Sequence, residues 1–243
     1  MQITQGIEYF FSGFKLITQK GLKRFVLIPL AINFLLFGGS LFFLFGWLNQ
    51  SFDYINNMLP QWLMWLEWLL WPLAIMIVLF CYGMVFSVIT NFIAAPFNGL
   101  LSEKVELYLT GQKINDDGLA ELLKDVPRMF AREWTKLCYY LPRALGFFIL
   151  LWILPVIGQA LWILFTCWMY AVQYEDYAFD NHKISFKEMK NDLKSKQGLS
   201  YGFGFAVLLL TTIPIVNLIV MPVAVCGATR LWVDNYRPKY KEH

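Results

Sequence analysis

Residues 18–25 read Thr-Gln-Lys-Gly-Leu-Lys-Arg-Phe, a stretch whose residue types suit an anion. It joins an amphipathic N-terminal segment to the first long apolar run, so a helix should begin here at a membrane surface. A helix start presents unpaired backbone N–H groups and the positive end of the peptide dipoles, and attracts anions without a dedicated side chain. Gly21 would let a ligand approach the backbone closely, and Lys23 and Arg24 add full charges. Gly21, Leu22, Lys23 and Arg24 are therefore the candidate anion-binding residues. The same cations also fit the ordinary flank marking the cytoplasmic end of a spanning helix, and both readings stay open at this point.

A second polar group lies near the end of the next apolar run. Asn91, Pro96, Asn98 and Gly99 are followed by Glu103, Lys104 and Glu106. Amides, a helix-disrupting proline and paired carboxylates near membrane depth suggest a polar cavity; a span simply ending in water fits the same spacing. Further on, Lys124, Arg128, Arg132 and Lys136 recur on a segment with helical patterning, bent or broken near Pro127. Nowhere is there a nucleophile–base pair, a metal cluster or a phosphate-cradling glycine loop, so no catalytic residue, metal or cofactor is expected. Cys81, Cys138, Cys167 and Cys226 show no C-x-x-C spacing and read as small buried hydrophobes.

The elements that must position these residues follow from composition. Of 243 residues, 58% are hydrophobic and 15% charged, and the mean hydropathy is +0.51. A soluble chain of this size rarely has so few charges, so this is an all-α integral membrane protein. A net charge of +3 from scattered basic residues is no nucleic-acid footprint. Ile3, Ile7, Phe10, Phe11, Phe14 and Ile17 recur at helical spacing, predicting an interfacial helix in a segment 1–24 that ends in the anion-binding turn. Residues 25–48 carry no charge and make one span; 49–61 read as a polar loop. A long second span covers 62–109, with Trp62, Trp65, Trp68 and Trp71 as an interfacial aromatic belt. Two more apolar regions, 144–174 and 201–233, each contain an internal proline, Pro155 and Pro214, in similar local text. Between them, 181–198 is a lysine-rich surface helix with a capping box at Ser185–Glu188 and Gly198 as its stop.

The basic residues decide how the last two apolar regions sit. All 20 fall in four segments: 4 before Phe25, 7 over 104–143, 5 over 183–196 and 4 from Arg230 onward. Single crossings would put the five-lysine segment on the same side as the loop 49–61, which has no Lys or Arg, against the positive-inside tendency. If each proline-broken region dips in and returns, all four segments share one face. The expectation is two long transmembrane helices plus two partially penetrating helical hairpins, 144–174 and 201–233, in one membrane domain.

Several stretches together resemble the bacterial CysZ-type sulfate permeases. They are Gly21-Leu22-Lys23-Arg24-Phe25, residues 91–101, Lys124-Asp125-Val126-Pro127-Arg128, Arg132-Glu133-Trp134, Tyr140-Leu141-Pro142-Arg143-Ala144, Phe179-Asp180-Asn181-His182-Lys183, Phe186-Lys187-Glu188-Met189 and residues 221–229. The resemblance implies proton-dependent sulfate uptake across the bacterial inner membrane, feeding assimilation toward cysteine, by an oligomer with two long membrane helices and partial hairpins. The family's Gly-Leu-Arg-type sulfate-binding turn maps onto Gly21, Leu22, Lys23 and Arg24. Lys23 stands where relatives often have Arg; it keeps the charge and loses the planar bidentate fork.

Sulfate, a dianion with four acceptor oxygens, would be captured at this turn and handed to a polar interior. Asn91, Asn98, Glu103, Glu106, Arg128 and Arg132 are the candidates for that path, and Glu103 or Glu106 for proton coupling. Ion pairs that merely fix helix ends fit the same residues. The expected partners are sulfate, membrane lipids and further copies of the chain. A passive anion channel and a non-transporting membrane scaffold are the competing functions.

Overall fold

The computed structural model describes residues 1–58, 67–112 and 119–241. Among them the regular structure is helical, in the order α1 (Gln2–Ile17), α2 (Lys23–Met58), α3 (Glu67–Thr110), α4 (Leu119–Ile153), α5 (Pro155–Asn181), α6 (Phe186–Ser195), α7 (Gln197–Thr211), α8 (Pro214–Asn235) and α9 (Arg237–Lys241). Five stretches are long and apolar enough to cross a membrane: Lys23–Ser51, Trp71–Thr110, Lys124–Ile153, Pro155–Asn181 and Val216–Asn235. The 15 residues of α7 reach ~22 Å, short of a ~30 Å hydrocarbon core.

The chain divides into two compact units, Met1–Ile28 with Ala94–His243, and Pro29–Ile93. In the first, α1 packs against α7 and α8, and α5 against α4, α7 and α8. Small residues make these approaches possible. A Cβ at Gly6 would fall on the carbonyl oxygen of Leu199, one at Gly13 on that of Val223, and one at Gly202 on that of Ile3. Phe10 of α1 is fully buried against Phe203 of α7, ring centroids 5.9 Å apart, while Ile3 and Phe11 stay exposed. One stripe of the amphipathic α1 is thus protein core. Phe179, Trp232 and Tyr236 continue that core between α5 and the end of α8. In the second unit Ser40 and Tyr82 share a hydroxyl–hydroxyl hydrogen bond of 2.6 Å, and Phe37 meets the Phe86 ring at 5.3 Å. Phe34, Phe42, Phe43, Met76 and Phe80 of that unit are exposed, as side chains in contact with lipid tails would be.

At both prolines one helix gives way to the next, α4 to α5 and α7 to α8, and each pair is in contact. Helices α5 and α8 each begin at their proline, after Leu154 and Ile213 in non-helical backbone, because proline is pre-set for a first helical position and its missing N–H is not needed there. The chain returns tightly at the first tip, where a Cβ on Gly158 would meet the Leu150 carbonyl oxygen at 2.8 Å.

The structure corrects several boundaries. Residues 49–58 are helical, extending α2 beyond the expected loop; no glycine or proline falls between Gly46 and Pro60, and helix propagation is cheap once started. Pro96 does not interrupt α3, and α4 runs unbroken through Pro127 and Pro142. Each proline removes one backbone bond and bends a helix, which packing on neighbouring helices offsets. Ser185 caps α6, Glu188 N–H donating to Ser185 Oγ at 3.2 Å, which is the serine half of the expected capping box. Gly198 does not stop α6, which ends at Ser195; Gly198 lies in α7 and packs on Gln2. Cys167 and Cys226 are buried, whereas Cys81 and Cys138 are exposed. Trp62 and Trp65 of the expected aromatic belt lie outside the described residues.

Candidate anion site and the buried charge clusters

The turn between α1 and α2 is set by Gly21 and Leu22. Gly21 adopts φ 97°, a conformation that L side chains rarely take, and nothing lies within 4 Å of where its Cβ would be. Leu22 is 4% exposed and anchors the turn in the core; its N–H donates to the Gln19 carbonyl at 3.2 Å, and its carbonyl accepts from Phe25 N–H at 3.0 Å. Among the described residues, the N–H groups of Gly21, Lys23 and Arg24 have no acceptor. Lys20, Lys23 and Arg24 are exposed, and the first turn of α2 carries no acidic residue. The Arg24 guanidinium lies 4.9 Å over the Phe25 ring. This is an exposed, positively charged turn with N–H donors that lack acceptors.

The other predicted residues fall into different surroundings. Arg128 and Arg132 of α4 face the acidic end of α5. Arg132 donates to both Asp176 oxygens, at 2.6 and 2.9 Å to Oδ1 and 3.1 Å to Oδ2. Arg128 pairs with Asp180 at 2.5 Å and Asp125 at 2.9 Å. Lys136 completes the row, 2.5 Å from Glu133 and 3.5 Å from Asp176, with its ammonium 4.2 Å over the Tyr177 ring. Ala95, Gly99, Met129, Arg132, Glu133, Lys136, Asp176, Tyr177 and Asp180 line a narrow cleft. Asn98, buried beside it, donates to Tyr177 Oη at 3.2 Å.

Glu106 belongs to a separate clamp. Its carboxylate is fully buried, 3.0 Å from His182 Nε2 through either oxygen and 2.7 Å from Arg237 Nε, so it joins α3 to the end of α5 and the start of α9. Glu103 pairs with its neighbour Lys104 at 3.2 Å. Asn91 lies in the other compact unit and is half-buried.

Sequence reasoning missed the acidic side of the cleft. Asp176 and Asp180, spaced i and i+4, mirror Arg128, Arg132 and Lys136, and an acidic run closing an apolar region was the available signal. The difference from the α1–α2 turn is chemical. Each cation of the cleft already has a carboxylate, whereas Lys23 and Arg24 have none. On the lysine-rich α6, burial first and then Arg143, Lys194 and Lys187 push the Lys190 ammonium below the usual lysine value, the mark of a cationic face without acidic relief.

Residues 9–222 match the family model described as Sulfate transporter CysZ/Etoposide-induced protein 2.4. The chain belongs to this family. It is 54% identical over 236 residues to a sulfate transporter CysZ of Vibrio atlanticus, covering 96% of this chain and 93% of the relative. A relative of the same name from Vibrio parahaemolyticus is 53% identical, covering 96% and 95%, and one from Pectobacterium atrosepticum 50% identical, covering 96% and 86%. The family description and five apolar helices together make this a membrane transporter rather than an enzyme.

Proposed function

We propose that the protein takes up sulfate across the bacterial inner membrane, in a proton-dependent manner, and supplies cysteine biosynthesis. Relatives of about half identity over nearly the full chain, all named sulfate transporters, support the substrate. The observation that carries the capture site is the α1–α2 turn, where Lys23 and Arg24 have no carboxylate partner and N–H groups stand free beside the positive-φ Gly21. Gly21, Lys23 and Arg24 hold sulfate through backbone donors and charge, and Leu22 pins the turn. Partial charges plus one or two full ones bind a dianion without trapping it. Asn91, Asn98, Arg128 and Arg132 then contribute to the path, sulfate displacing carboxylates from the arginines in turn, while Glu103 and Glu106 hold helix ends.

The two long helices α2 and α3 cross the membrane, and the pairs α4–α5 and α7–α8 enter from one face and return. Lys239 reaching Asp192 of α6 at 2.6 Å, and Lys196 donating to the Asn235 carbonyl at 2.7 Å, support a common side for the basic segments. Copies of the chain assemble through the exposed apolar helices.

Direct sulfate binding and radiolabelled uptake in proteoliposomes test the reading. Replacing Lys23 and Arg24 together by Ala should weaken sulfate binding at least ~10-fold, since one hydrogen bond to a charged group contributes roughly 1.5–3 kcal/mol. Unchanged binding would remove the turn as the capture site. Uptake indifferent to an imposed pH gradient would make the protein a passive anion channel.

A further inference from the structure

Every buried carboxylate among the described residues has a cation within 4 Å, with one exception. Glu106 has His182 and Arg237, Glu133 has Lys136, Asp176 has Arg132 and Lys136, Asp180 has Arg128, and Asp192 has Lys239. Glu175 has none. It is 1% exposed, its Oε2 accepts from Ser200 Oγ at 3.3 Å, and its Oε1 has no partner at all. The Tyr236 hydroxyl is likewise buried and has no hydrogen-bond partner.

A carboxylate in such a place lacks both the opposite charge and the donors that would stabilise it, whereas the neutral acid gains a proton that Oε1 can donate. The surrounding elements supply no hidden cation. From α7 comes Ser200; from the end of α8 comes Tyr236, whose ring carries Lys196 at 5.1 Å, with that ammonium already donating to the Asn235 carbonyl. From α6 comes Asp192, occupied by Lys239 and Tyr240. From α4 come Arg132, Glu133 and Lys136, which meet α5 through Asp176 and Gln173. Asp176 follows Glu175 directly and points about 100° further round the helix.

We propose that Glu175 is the proton-binding site of this transporter, taking a proton from bulk water and returning it to bulk water once per transport cycle. This rests on the proton-dependent reading above and assigns the role to a carboxyl other than Glu103 or Glu106, each of which has a cationic partner. Coupling follows from position. Protonated, Glu175 lets α5 stay closed on α7; ionised, it draws water or a cation into that interface, and α5 carries Asp176 with it, the residue that holds Arg132 and Lys136 in the cleft.

The test compares uptake of labelled sulfate in proteoliposomes with and without an acid-outside gradient, for wild type and Glu175→Gln. In wild type the gradient accelerates uptake; in Glu175→Gln the two rates become equal. Infrared difference spectra of the same samples should show the carbonyl stretch of a protonated carboxyl in wild type and lose it in the variant. A variant that responds to the gradient like wild type, or keeps that band, overturns the assignment. Wild type that ignores the gradient defeats the proton-dependent reading itself. Should Glu175→Gln fail to assemble, Ser200→Ala serves: losing a donor to the carboxylate moves the pH midpoint of uptake upward, and an unmoved midpoint overturns the proposal.

Discussion

Asp176 shows how tightly single residues are constrained here. Its carboxylate is fully buried and neutralises Arg132 and Lys136 at once. Removing one partner of a buried ion pair leaves an uncompensated charge and costs about 3–5 kcal/mol. Asp176→Asn, nearly the same shape, should therefore lower the thermal unfolding midpoint in detergent sharply, and a midpoint within error of wild type would contradict the network. Gly21 makes the opposite kind of demand. Its Cβ would meet nothing within 4 Å, so Gly21→Ala costs only the backbone preference against positive φ, roughly 1–2 kcal/mol. It should weaken sulfate binding by deforming the turn while leaving the core packed, and Gly21→Asn, which tolerates that conformation better, should bind more tightly than Gly21→Ala. Equal titrations for the two variants would show that φ at this position does not shape the site.

Among elements, α1 depends on glycine contacts that periodicity could not display. The stripe Ile3, Phe10, Phe14 and Ile17 is readable as one amphipathic face, but the approach of α1 to α8 is decided by Gly13 against the Val223 carbonyl. Gly13→Val should force α1 off α8 and reduce the yield of folded protein on size exclusion. Gly38→Ala, with open space around it, should behave as wild type, and similar losses in both would point away from close packing. The cap of α6 was legible in the Ser185–Glu188 text because capping is local. Ser185→Ala should cost about 1 kcal/mol, seen as faster amide exchange over α6.

For the whole molecule, sidedness is the open consequence. Asp192 of α6 holds Lys239, and the proposed arrangement puts Lys187 and Lys239 on one face of the membrane. With the exposed Cys81 and Cys138 replaced by Ser, single cysteines at Lys187 and Lys239 should react with an impermeant reagent from the same side within one orientation. Labelling from opposite sides would break the hairpin arrangement.

The residues alone determined the membrane class, the cap of α6 and the breaks at Pro155 and Pro214, and they single out the turn at Gly21–Arg24 as suited to an anion. All of these rest on composition or on neighbours in sequence: hydrophobic run length, backbone donors at a helix start, and the fixed φ of proline. The extent of α2 was misjudged because polar residues at 49–58 resemble a loop while containing no helix breaker. Which arginines are free was beyond the sequence. Arg132 and Asp176 lie 44 residues apart, and only the antiparallel return of α5 along α4 places them in contact. The same holds for Glu175, an unremarkable acid in the chain text. Packing of α5 between α4, α7 and α8 removed its water and gave it no cation, and burial of that kind is a property of tertiary structure alone.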